Sequence, residues 1–141
     1  IRDRNIMSIS AGAMDAQTVR LNLAASNVAN ADTVDSSPET AFEAKRAVFK
    51  TILEDQVHRG GRAYAGSVKV SEISEDQSAH PALYDPSHPF ANESGYVFGS
   101  NVDVMSEMVD IKAATRHFES AVEASNSAKR LLMRTIEMLQ K

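Results

Sequence analysis

The sequence predicts an α+β chain, mainly α. Long N- and C-terminal helices pack as an antiparallel coiled-coil-like pair, and a small β-rich segment lies between them. Three observations carry this expectation. All four prolines (Pro38, Pro81, Pro86, Pro89) and five of the six glycines (Gly60, Gly61, Gly66, Gly95, Gly99) fall between positions 32 and 100, where they interrupt regular helices. Before that region stands an arm rich in alanine and leucine with apolar residues one heptad apart. After it stands an arm with no proline or glycine and a seam stepping by three and four. The expected division is 1–31 as the N-terminal helix, 32–100 as the small β-rich middle, and 101–141 as the C-terminal helix that packs with 1–31.

The N-terminal arm runs from about Ile6 to Asn30. Met7, Met14, Leu21 and Val28 recur at heptad spacing, Ala11, Ala24, Ala25 and Ala31 fall near the same face, and Ile6, Ile9, Ala13, Ala16 and Leu23 form a second stripe. The apolar surface is therefore wide and much of it is alanine. At the rise of an α-helix this arm is roughly 35 Å long.

The C-terminal arm, Val104 to Gln140, carries the stronger signal. Met108, Ile111, Thr115, Phe118, Val122, Ser125, Lys129, Leu132, Ile136 and Leu139 form a seam held for more than four heptads, the pattern of left-handed helix-on-helix packing. Beside it runs a stripe of Ala114, Ala121, Ala124, Ala128 and Leu131. Asp103 has the chemistry of an N-cap, because its carboxylate accepts an orphan backbone N–H. Glu107 and Asp110 near the start, and Arg130, Arg134 and Lys141 near the end, suit the helix dipole.

Three segments of the middle read as strands. Ala41 to Ile52 is rich in Phe, Val and Ala and also fits a short helix. Ser67 to Ile73 alternates, with Val68 and Val70 on one side and Lys69 and Ser71 on the other. Tyr96-Val97-Phe98 is the third. His80 to Pro89 reads as turn or extended loop.

Composition excludes several functions. A formal net charge of −4 over 141 residues argues against phosphate binding, so neither nucleic acid nor an anionic membrane surface is expected. Lys45-Arg46 and Lys129-Arg130 sit among carboxylates and read as solvated faces. The absence of cysteine excludes disulfides and thiolate metal sites. No apolar run approaches the roughly 18 residues that suggest a bilayer span. Ile1 to Asn5 is too polar for a signal peptide, and with no initiator Met the gene product is expected to extend before Ile1. Any exit from the cytoplasm is therefore expected without a cleavable signal.

Two long helices with apolar surface over more than half their circumference cannot be covered by so small a middle. The alanine-rich faces are expected to stay open for other subunits, and a head-to-tail contact that does not close gives a helical assembly. Ordinary bundle packing explains the same periodicity.

The run Leu21-Asn22-Leu23-Ala24-Ala25-Ser26-Asn27-Val28-Ala29-Asn30-Ala31-Asp32-Thr33 resembles the N-terminal motif of the bacterial flagellar axial proteins, which include the rod, hook and hook-associated proteins. Its core, Ala-(Asn/Ser)-Asn-x-Ala-Asn, stands at Ala25 to Asn30. Tyr84 to Pro89, Gly95-Tyr96-Val97, and Asn101-Val102-Asp103-Val104 with Glu107-Met108-Val109 narrow the resemblance to the short proximal rod members, over nearly the whole chain. Three features depart from that pattern. Ser100 stands where a Pro is usual, Arg116-His117-Phe118-Glu119-Ser120-Ala121 replaces an Arg-x-Tyr-x-Ala-Asn run, and Ser36 to Phe42 is atypical.

The resemblance implies a structural role, with no catalytic residue, no metal and no cofactor. It implies export, unfolded and without a cleaved signal, through the flagellar type III apparatus. It further implies assembly in the rod, in the periplasmic space, with copies of itself, other rod proteins and the base of the membrane ring, to transmit torque from motor to hook. It places subunit contacts on the motif residues Leu21, Asn22, Ala25, Asn27, Ala29 and Asn30. The seam residues Met108, Ile111, Phe118, Val122, Leu132, Ile136 and Leu139 are the expected helix-packing positions. For Asn22, Asn27 and Asn30 a local role, closing the helix through an αL or turn conformation, competes with amide bonds to neighbouring subunits. Asp85 and His88 lack a third ligand and sit in a Pro-flanked turn, which disfavours a metal or acid–base pair. The methionines Met7, Met14, Met108, Met133 and Met138 suit adaptable packing. Other readings are another short axial subunit, a helical adaptor or chaperone of flagellar export that binds as a discrete coiled coil, and a small hydrolase using the Asp85–His88 loop.

Overall fold

A computed structural model describes the backbone of residues 2–58 and 61–140 and the side chains of residues 6–51 and 67–140. Gly60 and Lys141, and the side chains of Ile52 and His58, lie outside the described residues. Among those described, the order is α1 (Arg2–Ala29), β1 (Val34–Asp35), β2 (Lys45–His58), β3 (Gly61–Glu75), β4 (Ala82–Tyr84), β5 (Tyr96–Gly99) and α2 (Val104–Leu139). The chain is α+β and mainly α, as the distribution of prolines and glycines predicts.

Both helices end where their local chemistry stops them. At the close of α1 the Asn30 amide donates to the carbonyls of Ser26 (3.1 Å) and Asn27 (3.2 Å), and Thr33 closes the turn through its N–H and hydroxyl to the Asn30 carbonyl. No described non-glycine residue has a positive φ, so this is a turn and not an αL cap. Asp103 caps α2 as expected: its carboxylate accepts from the Met105 N–H (3.2 Å) and from the Ser106 hydroxyl (2.9 Å).

The middle holds more strand than the sequence predicts. β2 and β3 pair with each other as a two-stranded ribbon of 14 and 15 residues, far longer than the Ser67–Ile73 alternation suggested. Pairing carries the ladder through Gly61 to Gly66, which has weak β propensity alone. Ala41 to Ile52 divides. A single turn at Ser37–Ala41 is closed by the Ala41 N–H on the Ser37 carbonyl (3.1 Å), and β2 begins at Lys45. The second sheet has the order β1-β5-β4, with β5 central and antiparallel to both neighbours. The segment expected as loop, His80 to Pro89, contains β4. Ala82, Leu83 and Tyr84 pair with Phe98, Val97 and Tyr96, and the prolines at 81 and 86 flank the strand, tolerable because β4 is an edge.

Gly95 makes that sheet possible. It sits at φ +83°, and a Cβ there would lie 2.8 Å from Tyr84 Cε2 and 3.2 Å from Pro86 Cβ. Gly95→Ala is expected to cost about 2–4 kcal/mol, combining the left-handed backbone term with overpacking. A urea unfolding curve checks this, and a midpoint shift equivalent to less than half a kcal/mol would refute it.

The chain groups into two compact units. The first comprises Ile1–Val19, Val48–Glu72 and Ala113–Lys141, and the second Arg20–Ala47 and Ile73–Lys112. In the first, Ser10 and Ala16 on α1 and Ala114, Ala121 and Ala128 on α2 are buried. In the second, Ala24, Asn27, Ala41, Ala44, Val97, Ser100 and Glu107 are buried. The α2 positions 107, 114, 121 and 128 are seven apart, so the chain buries the small-residue stripe and not the large-residue seam. This corrects the expectation that the alanine face stays open, although Ala124 and Leu131 are exposed. Small side chains let neighbouring backbone come close, whereas the larger seam residues stand at the rim.

Candidate functional site

Three of the residues that suggested a family, Asn27, Asn101 and Glu107, meet in the second unit around Ala44-Lys45-Arg46 where β2 begins. Asn27, wholly buried on α1, acts as a side-chain copy of a backbone pair. Its Nδ2 donates to the Lys45 carbonyl (2.9 Å) and its Oδ1 accepts from the Lys45 N–H (2.9 Å). Asn101, just before α2, holds the preceding residue. Its Oδ1 accepts from the Ala44 N–H (2.7 Å) and its Nδ2 donates to the carbonyls of Asp76 (2.8 Å) and Ser78 (3.1 Å). The Asp76 N–H then returns to the Ala44 carbonyl (2.7 Å). Two asparagines from motifs 74 positions apart thus clasp consecutive backbone units at the root of the ribbon.

Beside the clasp lies an ionic junction. The Glu107 carboxylate is completely buried, and the Arg46 guanidinium binds its Oε1 at 2.5 Å. Arg46 also approaches Asp110 (3.8 Å) and Asp76 (3.9 Å), and Arg20 on α1 pairs with Asp110 at 2.5 Å. Glu107 Oε2 is buried without a hydrogen-bond partner among the described residues, so Arg46 is the chief compensation for that charge. Hydrogen bonds from the Ser78 hydroxyl and N–H hold Asp76 below the ordinary carboxyl range, helped by Arg46. Across the ribbon root, a hydrogen bond with Glu75 pushes Glu43 above its ordinary value.

Lys45-Arg46 is not the solvated face that the sequence predicts: both are part-buried and Arg46 is the hub. The heptad phase held the missing signal. Glu107 lies one heptad before Ala114 and so falls on the stripe the chain buries, where a carboxylate needs a cation.

The remaining motif residues have different surroundings. Asn30 Nδ2 bonds the Ser26 carbonyl (2.9 Å), a local helix-closing role. Asn22, Ala25 and Ala29 are exposed and Leu21 is half-buried. Ser100, the position usually occupied by Pro, donates its hydroxyl to the Ala31 carbonyl (2.6 Å) and its N–H to the Thr33 carbonyl (3.2 Å), tying the exit of α1 to β5. Along the seam, Ile111, Phe118 and Val122 are half-buried, while Met108, Leu132, Ile136 and Leu139 are exposed. Asp85 and His88 serve the turn they occupy. Asp85 accepts from the Ser87 hydroxyl (2.8 Å), and His88 Nδ1 accepts from the Phe90 N–H (3.0 Å). Among the described residues no helix is long and apolar enough to cross a membrane.

Comparison with known proteins finds a family for these segments. Residues 7–34 match the family described as flagella basal body rod protein, and residues 93–138 match that described as flagellar basal body rod FlgEFG protein C-terminal. These segments contain Asn27 on one side of the clasp and Asn101 and Glu107 on the other. Curated relatives named flagellar basal-body rod protein FlgC align along nearly the entire chain. The one from Escherichia coli O6:H1 is 39% identical over 136 residues, covering 96% of this chain and 97% of the relative. The one from Bacillus subtilis strain 168 is 38% identical over 143 residues, covering 94% and 95%. The one from Salmonella typhimurium strain LT2 is 38% identical over 136 residues, covering 96% and 97%. The chain belongs to the flagellar basal-body rod protein family, with the FlgC proteins as its relatives. It is a structural component of the rod and not an enzyme.

Proposed function

We propose that this subunit builds the proximal part of the rod, polymerising through its terminal helices into the shaft that transmits torque from motor to hook. The observation that carries this reading is the uncovered end of α2. Every residue from Lys129 to Gln140 is exposed, and Leu131, Leu132, Met133, Ile136, Met138 and Leu139 lie among them. So much contiguous apolar surface on a helix calls for neighbouring subunits. In the assembly the helical segments of 1–31 and 101–141 pack as an antiparallel coiled-coil-like core. The seam from Met108 to Leu139 then meets other helices, and the 32–100 segment lies outside it. The exposed motif residues Asn22, Ala25 and Ala29, with Leu21, are offered to adjacent subunits. Copies of itself, other rod proteins and the base of the membrane ring are the partners. The periplasmic rod is reached through the flagellar type III apparatus without a cleaved signal.

The clasp and ionic junction suit a torque-bearing part, since they tie α1, the ribbon root and α2 with hydrogen bonds and charge instead of a soft apolar contact. Leu132 offers the direct test. It is about two-fifths exposed in the single chain, so Leu132→Asp leaves the subunit folded and spoils only the contact it makes on assembly. Burying an unpaired carboxylate there costs several kcal/mol. Cells carrying Leu132→Asp in place of the native gene are expected to make the subunit, to lack completed rods in electron micrographs and not to swim. Normal motility would remove the seam from the mechanism.

A further inference from the structure

The chain has six methionines and neither cysteine nor tryptophan, so its thioethers are the softest targets for a two-electron oxidant. The fold sorts them by helix. Met7 and Met14 on α1 are half-buried. Met105, Met108, Met133 and Met138 on α2 are each more than half exposed. Met133 is 58% exposed and Met138 78%, and both stand in the stretch from Lys129 to Gln140 in which every residue is open. At such exposure a small solute reaches the side chain.

A methionine suits an adaptable apolar contact because its side chain is flexible and its sulfur polarizable. Oxidation removes that property. A sulfoxide is polar and accepts hydrogen bonds, so burying it without a donor costs free energy that burying the thioether does not.

We infer that Met133 and Met138 are modification sites of the unassembled subunit, where a hydroperoxide converts the thioethers to sulfoxides and so keeps the end of α2 out of the rod. The sulfur lone pair attacks the outer peroxide oxygen. The S–O bond forms as the O–O bond breaks, and the departing oxygen takes up the proton and leaves as water or an alcohol. The sulfur is oxidised by two electrons and the peroxide is reduced by two. Methionine sulfoxide reductases reverse the change. The inference rests on the rod-subunit reading, in which this stretch is covered by neighbouring subunits. Once covered, the same two sulfurs are shielded, so oxidation acts on the addition of free subunits and spares the completed rod.

Peptide mass spectrometry of the purified subunit after brief treatment with hydrogen peroxide is expected to find one added oxygen on Met133 and Met138 about fivefold faster than on Met7 and Met14. In isolated basal bodies the same two residues are expected to react about tenfold more slowly than in the free subunit. Glutamine stands in for the sulfoxide and leucine for the thioether. The double change Met133→Gln and Met138→Gln is expected to leave a folded subunit by circular dichroism and to lower the number of complete rods per cell about tenfold. Met133→Leu with Met138→Leu is expected to leave swimming unchanged, as is Met105→Gln, an exposed methionine outside the Lys129–Gln140 stretch. Equal oxidation rates on the two helices, or normal rods with both glutamines in place, would overturn the modification site and leave the rod reading standing. Complete rods in cells deleted for the chain would overturn the rod reading itself.

Discussion

Arg46→Ala is expected to lower the unfolding free energy by about 3 kcal/mol. Removing one partner of a buried ion pair leaves a charge in a place without water, and this is worth roughly 3–5 kcal/mol. Glu107 meets that description in full, since its side chain has no exposed surface and its second oxygen has no partner among the described residues. Arg46 is about one-third exposed, so solvent screens part of the attraction and the lower end of the range applies. Arg20, the other arginine of the junction, is engaged with Asp110. Glu107→Gln provides the contrast. It removes the buried charge together with the pair and leaves Arg46 its contacts to Asp110 and Asp76, so its loss is smaller than that of Arg46→Ala. Urea denaturation of the purified subunit, followed by circular dichroism, measures both. Equal losses, or a loss below one kcal/mol for Arg46→Ala, would show that the junction contributes little.

Asn27→Ala is expected to remove about 2–4 kcal/mol. Truncation breaks two hydrogen bonds of good geometry at once. It also strands the Lys45 N–H and carbonyl, whose present partner is a wholly buried side chain, and the penalty for an unmade bond exceeds the value of a made one. Asn27→Asp separates the two halves of the clasp. An aspartate still accepts from the Lys45 N–H, but it has no donor for the Lys45 carbonyl and buries a charge, so it is expected to be no better than alanine. A stable Asn27→Asp subunit would mean that only the acceptor half matters. In cells both changes are expected to reduce rod number by lowering the amount of folded subunit. Leu132→Asp differs in leaving the subunit folded while blocking assembly.

The two predictions bear on how the motif residues act. Asn27 and Asn101 belong to the segments that resemble axial proteins, and for Asn27 the sequence also allows a contact between subunits. Inside this chain their amides are already occupied, so their direct work is to join α1, the start of β2 and the start of α2. Asn22, on the same helix, is exposed.

Several features were determined by sequence alone. The confinement of every proline and five of the six glycines to the middle set the two helical arms. Asp103 set the start of α2, and the turn around Asn30 set the end of α1. These are local effects, decided within one helical turn by capping and backbone conformation, and they need no distant partner. The motifs at Ala25–Asn30 and Asn101–Val104 placed the family for the same reason: they are short and contiguous. Tertiary structure decided which face of α2 is buried. Seam and alanine stripe are equally periodic, and only the distance of closest approach to the rest of the chain selects small side chains over large ones. It also decided the length of the β2–β3 ribbon and the existence of β4, because a strand is made by its partner and each partner lies beyond its own local pattern. It decided the role of Arg46 most of all. A lone arginine beside a lysine reads as surface, and only the fold brings it to a glutamate 61 positions away that the helix has carried out of water.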